Sequence, residues 1–376
     1  GGEYGVSLRY GHQDQPVGTA GSVGLVRDLL AEPFVVVSGD ALTDVDLARF
    51  MRFHRECGAE ATLLLHREPN PLEYGVVVTR ADGRIERFQE KPLWGEVLSD
   101  TVNTGIYALE PSVFELIPPG RGVDFSLDVF PQLLAQRRKL YGFVADGYWT
   151  DVGTLEAYRE ASADVVTGRV DVGAGIRPGG REPWIEPDAM VHPCARLLGP
   201  VYVGHGCDVR AGAVVRGPAA LGDRTVVDTG AEVAESVLLS NGYVGSEAKL
   251  ASCIVGRQVH LGRGVAVGEG AVIGDGTSLG VGARIRAGVR IWPRKYVEAG
   301  AVVDRSLVYA DQVCRTIFAR GGVTGVTHLP PRRRALPFDG RTKARFASDF
   351  WPGSACRGLP LAARADGRAG AGPGRP

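Results

Sequence analysis

The chain has 376 residues, with 43 Lys plus Arg against 43 Asp plus Glu and a formal net charge of zero. That length accommodates two or three domains, and the neutral balance gives no electrostatic footing for nucleic acid or an acidic membrane surface. No run of about 18 apolar residues occurs, so no transmembrane helix is expected, and the six cysteines (Cys57, Cys194, Cys207, Cys253, Cys314, Cys356) form no CxxC pair, which argues against a zinc site or disulfide scaffold and for reduced thiols in a cytoplasmic protein.

The opening "GGEYGVSLRYG" has no initiator Met and no basic-then-apolar signal pattern, and reads as a chain that begins inside a domain. "DQPVGTAGSVGLV" (14–26) follows. Its Gly18-Thr19-Ala20-Gly21 precedes an apolar-spaced run and is either a nucleotide-cradling loop or a plain turn. "PFVVVSGD" (33–40) predicts a buried strand ending at Gly39-Asp40. "DVDLARFMRFHREC" (44–57) predicts a helix with Leu47, Phe50 and Met51 on one face. A buried strand over "ATLLLH" (61–66) comes next, then a hairpin over 74–88 turning at Asp82-Gly83. A strand over 104–110, a helix over 126–136 and an amphipathic helix over 154–166 complete the region. Strands alternating with helices predict an α/β domain over 1–168 with a mostly parallel sheet.

After a linker over 169–184, the period changes. Aliphatic residues recur every six, from Ile185, Val191, Leu197 and Val203 through Val233 and Leu239, and again from Val255 to Val303, with a register break near Val244 and Leu250. Neither a helix nor a single strand has that period. Three short strands per turn of a triangular coil do: each places one aliphatic residue inward, and small residues fit the bends. Stacked turns bury a continuous core that no single turn buries alone. A left-handed parallel β-helix is therefore expected over 185–305, with a connector over 306–328. The Pro-, Arg-, Gly- and Ala-rich stretch over 329–376 has no periodicity and is expected to be disordered.

Several short motifs carry possible chemistry. Asp40 ends a strand, and ligands in open α/β sheets bind at that edge. Asp151, in "GYWTDVGT", precedes a helix start; taken alone, each residue reads first as a helix cap or strand-end turn. Together, across 111 residues of sequence, the two carboxylates suit Mg²⁺, a hard cation that bridges substrate phosphates. "RFQEKP" places Glu90 beside Lys91, either as an exposed ion pair or as a pair reaching sugar hydroxyls and a phosphate. Gly75 interrupts an apolar strand, which marks close approach by a ligand or a bulge. Asn103 and Thr104 open a strand, where an amide reads hydroxyls or closes a turn. His205 and His260, on the coil, are candidate acyl-transfer bases or solvated surface residues.

The order GTAG, SGD, EYGVV, EKP, NTGIYALEP, DF, GYWTDVGT, followed by hexapeptide repeats, resembles the sugar-1-phosphate nucleotidyltransferases (NDP-sugar pyrophosphorylases), in particular the mannose-1-phosphate guanylyltransferase-like branch. The resemblance covers residues 1 to about 320 and implies a Rossmann-like nucleotidyltransferase domain. It implies that Gly18, Thr19 and Ala20 line the nucleotide pocket, that Asp40 and Asp151 ligate Mg²⁺, that Gly75, Glu90 and Asn103 bind the sugar, and that Lys91 binds its phosphate. Asp40, Lys91 and Asp151 are the implied catalytic set. The partners implied are an NTP and a hexose-1-phosphate, with homo-oligomerisation through the β-helix.

Gln13 and Val17 stand where many relatives carry Glu and Leu. A larger departure is that no stretch matches the family's GxGTRLxPLT loop or the Lys-Pro pair after it, so the domain reads as lacking its first βα units and the chain as inactive or weak. The branch's continuation into a phosphomannomutase domain is also absent, and a shifted reading frame in a GC-rich gene gives text of the kind seen over 329–376. Guanylyl transfer from GTP to mannose-1-phosphate, releasing pyrophosphate, is the leading expectation. Thymidylyl, uridylyl or adenylyl transfer to glucose-1-phosphate, and a non-catalytic scaffold relative, are the alternatives.

Overall fold

Strands β3 (Ala61–Arg67) and β6 (Thr101–Leu109) carry the core of the first domain in the computed structural model, which describes residues 6–173 and 182–308 and the short strands Gln312–Val313, Phe318–Ala319 and Gly322–Val323. The stretch 329–376 and most of the predicted linker and connector lie outside the described residues. Both strands are buried on both faces, which explains their continuous apolar runs. Successive side chains point to opposite sides: Leu63, Leu65, Tyr107 and Leu109 pack with Phe125, Phe130 and Leu133, whereas Leu64, Ile106 and Ala108 pack with Phe50 and Trp149. Helices α1 (Gly18–Gly24) and α3 (Phe130–Ala135) thus cover one face, and α2 (Leu47–Glu56) the other.

The sheet order is β5 (Ile85–Glu90), β4 (Gly75–Thr79), β6, β3 and β7 (Leu140–Val144), with β1 (Phe34–Val37) also paired to β6. The expectation of a mostly parallel sheet is corrected. Among the described pairs only β3–β7 is parallel, because β6 inserts antiparallel between β1 and β3 and the β4–β5 hairpin adds a second reversal. β1 is only half-buried, with Val37 48% exposed, since β6 is its one partner strand among the described residues. On α2, Phe50 is buried, but Leu47 faces outward and His54 takes the inner position, bonded through Nδ1 to Thr62 Oγ1 at 2.8 Å.

A separate two-stranded ribbon joins β2 (Ala41–Thr43) to β8 (Trp149–Asp151). It leads into α4 (Leu155–Thr167), whose first turn is capped by Thr154 Oγ1 accepting from Ala157 N–H at 3.1 Å and whose end is Gly168 in the left-handed region.

From Trp184 the chain forms a parallel β-helix of three faces, with seven strands on the first (Trp184–Ile185 to Arg290–Ile291), eight on the second (Met190–Val191 to Gln312–Val313) and seven on the third (Arg196–Leu198 to Val302–Val303). Its interior is the predicted aliphatic ladder, from Val203 and Val209 to Val297 and Val303. Two details differ. Leu238, not Leu239, points inward. The register break also falls on either side of Val244 and Leu250: Leu221 pairs with Leu238, and Leu238 with Val255, each 17 residues on, where Val203–Leu221 and Val255–Ile273 are 18 apart. The shortened corners are closed by buried Ser236, which donates to Ala234 C=O at 2.6 Å and accepts from Cys253 N–H at 3.1 Å.

Leu239, freed by that shift, lies outside the coil and packs with Ile254 and Val272 against Leu155 and Tyr158 of α4. The first domain is therefore seated on the first face of the β-helix. No helix among the described residues is long and apolar enough to cross a membrane.

Candidate active site

Asp40 and Asp151 meet through the ribbon. Ala41 is the register partner of Asp151, and the Val152 N–H donates to the Asp40 carbonyl at 2.8 Å. A regular pleat sends adjacent positions of such a ladder to opposite faces. Asp40 itself lies outside the ladder, in the turn between β1 and β2, where Ser38 Oγ donates to its Oδ1 at 2.5 Å. Both carboxylates are half-buried. Beneath them Trp149 donates its indole N–H to the Thr104 carbonyl at 3.1 Å and meets Tyr74 edge-on. The Tyr74 phenol is pushed up, first by burial and then by Glu68, Asp151 and Glu73.

Gly75 is the register partner of Glu90. A Cβ at Gly75 would stand 2.8 Å from Glu90 Oε2 and 2.9 Å from Phe88 Cζ, so the glycine makes room for the two side chains of β5. The close approach predicted here is thus made by the protein's own carboxylate. Lys91 follows in left-handed backbone, φ 43°, with its N–H on the Tyr74 carbonyl at 3.1 Å, and its side chain is exposed. That turn lifts Lys91 out of the β5 pleat, which relieves the objection that neighbours on a strand face opposite ways.

Asn103 lies inside β6. Its Nδ2 donates to Tyr107 OH at 3.1 Å and Ser126 Oγ at 3.3 Å, and its Oδ1 accepts from Gly105 N–H at 3.1 Å. Both amide hydrogens are thus directed inward, leaving an oxygen lone pair as the free hydrogen-bonding capacity. Burial pushes the Tyr107 phenol up to about 12, with Asp124 and Glu90 adding to the rise. The next residues lead back to the carboxylates, since the Ser38 N–H donates to the Gly105 carbonyl at 3.0 Å.

Gly18, Thr19 and Ala20 form the first turn of α1, not a free loop. The N–H groups of Ala20 and Gly21 both donate to the Val123 carbonyl at 3.0 Å, so these two donors of the helix start are occupied. Thr19 Oγ1 donates to Asp124 Oδ2 at 2.8 Å and accepts from Phe125 N–H at 3.0 Å. Asp124 Oδ1 in turn accepts from Ser126 N–H at 2.8 Å. A hydrogen-bonded chain therefore runs from Thr19 through Asp124 and Ser126 to Asn103.

Local bonds gather the nine predicted residues into three groups: Asp40 with Asp151; Gly75, Glu90 and Lys91; and Asn103 tied to Thr19 of α1. Sequence reasoning missed Ser38, Tyr74, Tyr107, Asp124 and Trp149. Of these, Asp124 had a signal, as an Asx cap before a helix; Trp149 and Tyr74 act through partners distant in sequence, and the short-range bonds of Ser38 and Tyr107 carry no distinctive motif. Two carboxylates without a third ligand fit Mg²⁺, which uses one or two carboxylates plus substrate phosphates, better than a cation needing an all-protein cage. Among the described residues no group of three or more His, Cys, Asp or Glu is arranged to hold a metal.

Comparison with known proteins gives two family profiles: "Nucleotidyl transferase" over residues 1–168 and "GMPPB C-terminal domain" over residues 197–307. The chain is 33% identical over 276 residues to a UTP–glucose-1-phosphate uridylyltransferase of Synechocystis, covering 68% of this chain and 70% of that one. It is 35% identical over 219 residues to a mannose-1-phosphate guanylyltransferase of Mycobacterium tuberculosis, covering 58% and 60%. A mannose-1-phosphate guanyltransferase of Schizosaccharomyces pombe is 38% identical over 161 residues, 42% and 43% of the two chains. The chain thus spans less than two thirds of the last two relatives.

Proposed function

Because the chain belongs to the sugar-1-phosphate nucleotidyltransferase family, we propose that its site transfers a nucleotidyl group from an NTP to a hexose-1-phosphate, with GTP and mannose-1-phosphate as the pair. The observation that carries this reading is the meeting of Asp40 and Asp151 at one ribbon end. A sugar-phosphate oxygen, already anionic, attacks the NTP α-phosphorus; the new P–O bond forms as the bond to the β-phosphate oxygen breaks, and pyrophosphate leaves with its electron pair. No proton has to move. The protein therefore contributes position and charge rather than a nucleophile.

Asp40 and Asp151 would hold Mg²⁺, which supplies neutralisation of charge on the phosphates. Lys91, exposed beside Tyr74, is assigned the sugar phosphate. Glu90 accepts from sugar hydroxyls across Gly75, and Asn103 contributes its remaining oxygen lone pair or holds its neighbours in place. Gly18, Thr19 and Ala20 form the base side through α1 rather than through free N–H groups. The GMPPB-type C-terminal profile and the guanylyltransferase relatives support guanylyl transfer. Uridylyl transfer to glucose-1-phosphate is the second reading, favoured by the wider coverage of the Synechocystis relative. Assembly into homo-oligomers through the β-helix and a cytoplasmic location belong to the same proposal.

The test is pyrophosphate release with Mg²⁺, each NTP and each hexose-1-phosphate. We expect the 376-residue polypeptide alone to turn over weakly, since no stretch in it matches GxGTRLxPLT, and a polypeptide with such a loop grafted ahead of Gly1 to prefer GTP with mannose-1-phosphate. Robust turnover by the ungrafted polypeptide refutes the need for that loop. No turnover in either refutes the catalytic assignment of Asp40 and Asp151.

A further inference from the structure

The three faces of the β-helix are not equivalent. The first is covered by α4. On the second, Arg210, Asp208, Asp228 and Tyr243 satisfy one another, with Arg210 bonded to both aspartates and Tyr243 OH donating to Asp228 at 2.6 Å. The third carries a cleft of about 490 Å³. Its floor is made by Ala234, Ala251, Ala266 and Gly268, outward positions on three successive turns. Lys249 crosses it, paired to Glu232 at 3.0 Å. Arg284 and Arg286 stand together on the next turn, and Arg216 stands at the far end.

No ion pair or hydrogen bond of the Arg216, Arg284 or Arg286 side chains occurs among the described residues, although Glu235 and Glu269 occupy nearby corners. Arg284 lies in the strand Arg284–Ile285 and Arg286 directly follows it, flanking the inward Ile285, so both side chains leave the outer face at roughly 7 Å. From that spacing their planar guanidinium forks, on flexible stems, can converge on the adjacent phosphoryl groups of one diphosphate. The flat Ala and Gly floor beyond them accepts an uncharged ring, and the volume is that of a small-molecule site. A second copy of the chain is a poor occupant: any two-fold pairing of this face brings the basic ends against one another.

We propose that this cleft binds a diphosphate ester of a small ring compound, with the diphosphate on Arg284 and Arg286 and the ring on Ala251, Ala266 and Gly268. The site is separate from the carboxylate pair and stands whether or not the catalytic reading does.

The test is calorimetric titration of the full chain with GDP and with inorganic pyrophosphate in EDTA, in an Asp40→Asn background that disables metal-dependent binding at the first site. Saturable binding of both is expected, weakened about tenfold or more by the double variant R284Q/R286Q and little changed by Arg196→Gln outside the cleft. GDP should bind more tightly than pyrophosphate, and Ala251→Asp should weaken GDP. Binding that is absent, that sulfate reproduces equally, or that survives R284Q/R286Q overturns the proposal. Sedimentation of both variants guards the interpretation: a change of oligomeric mass with lost binding would mean that the face joins copies of the chain, and also overturns it.

Discussion

Asp40 and Asp151 illustrate what single residues can and cannot declare. Each was legible as a candidate from its place at a strand end or helix start, but nothing in the 110 intervening residues announced the ribbon that unites them. Replacing either by Asn removes a hard, charged ligand. Mn²⁺ affinity, followed by electron paramagnetic resonance, is expected to fall by about tenfold or more in Asp40→Asn and in Asp151→Asn; unchanged affinity in both would remove them as metal ligands. Glycines allow sharper statements. At Gly18, with φ 77°, an added Cβ would meet the Val123 carbonyl oxygen at less than van der Waals distance, so Gly18→Ala strains the backbone and breaks the seat of α1. At Gly75 only the ends of Glu90 and Phe88 must move, so Gly75→Ala should cost about 1–3 kcal/mol in urea unfolding and displace Glu90. Equal losses at the two positions would contradict this ranking. Asp228 gives the acid limb of stability. Tyr243 OH, then Thr229 N–H and Arg210, hold its carboxyl at about 2, below the ordinary 3.8. A lowered folded pKa means that stabilisation is present above about pH 4 and lost as the pH falls towards 2. Asp228→Asn should therefore unfold more easily at neutral pH and converge on the parent near pH 2; a constant gap across that window would count against this origin.

At the level of elements, hydrophobic period was the most readable signal. The six-residue ladder foretold every face of the coil because a repeat that must bury an aliphatic residue at each corner leaves no other phase. It misplaced Leu239 because adjacent leucines at 238 and 239 look alike in sequence; the choice was made by the shortened corner at Ser236, a polar device without periodicity. Ser236→Ala would leave the buried Cys253 N–H without its acceptor, a loss of about 1–3 kcal/mol, whereas Ser236→Thr should retain the bond; thermal melting of both variants distinguishes them. The sheet's mixed direction was unreadable for a related reason. Period shows that a segment is a strand and which side is apolar, not which neighbour it chooses or in which direction.

For the molecule as a whole, the docking of α4 on the coil is the joint between two otherwise separate cores. It rests on Leu155, Tyr158, Leu239, Ile254 and Val272. The double variant Leu155→Ala, Tyr158→Ala should lower the melting of the first domain and leave that of the coil unmoved, splitting the calorimetric trace. A single undivided shift would mean that cooperativity travels by another route.

The β2–β8 ribbon makes that joint matter for more than stability. Asp151 ends the ribbon, and only Val152, Gly153 and the cap Thr154 separate it from the helix bolted to the coil. Asp40, by contrast, hangs from the main sheet through Ser38 and Gly105. The two carboxylates thus reach the two cores by different routes, while the Val152 N–H on the Asp40 carbonyl ties them to each other. A displacement of the coil enters the site at Asp151, three residues from α4, and the ribbon passes it on to Asp40.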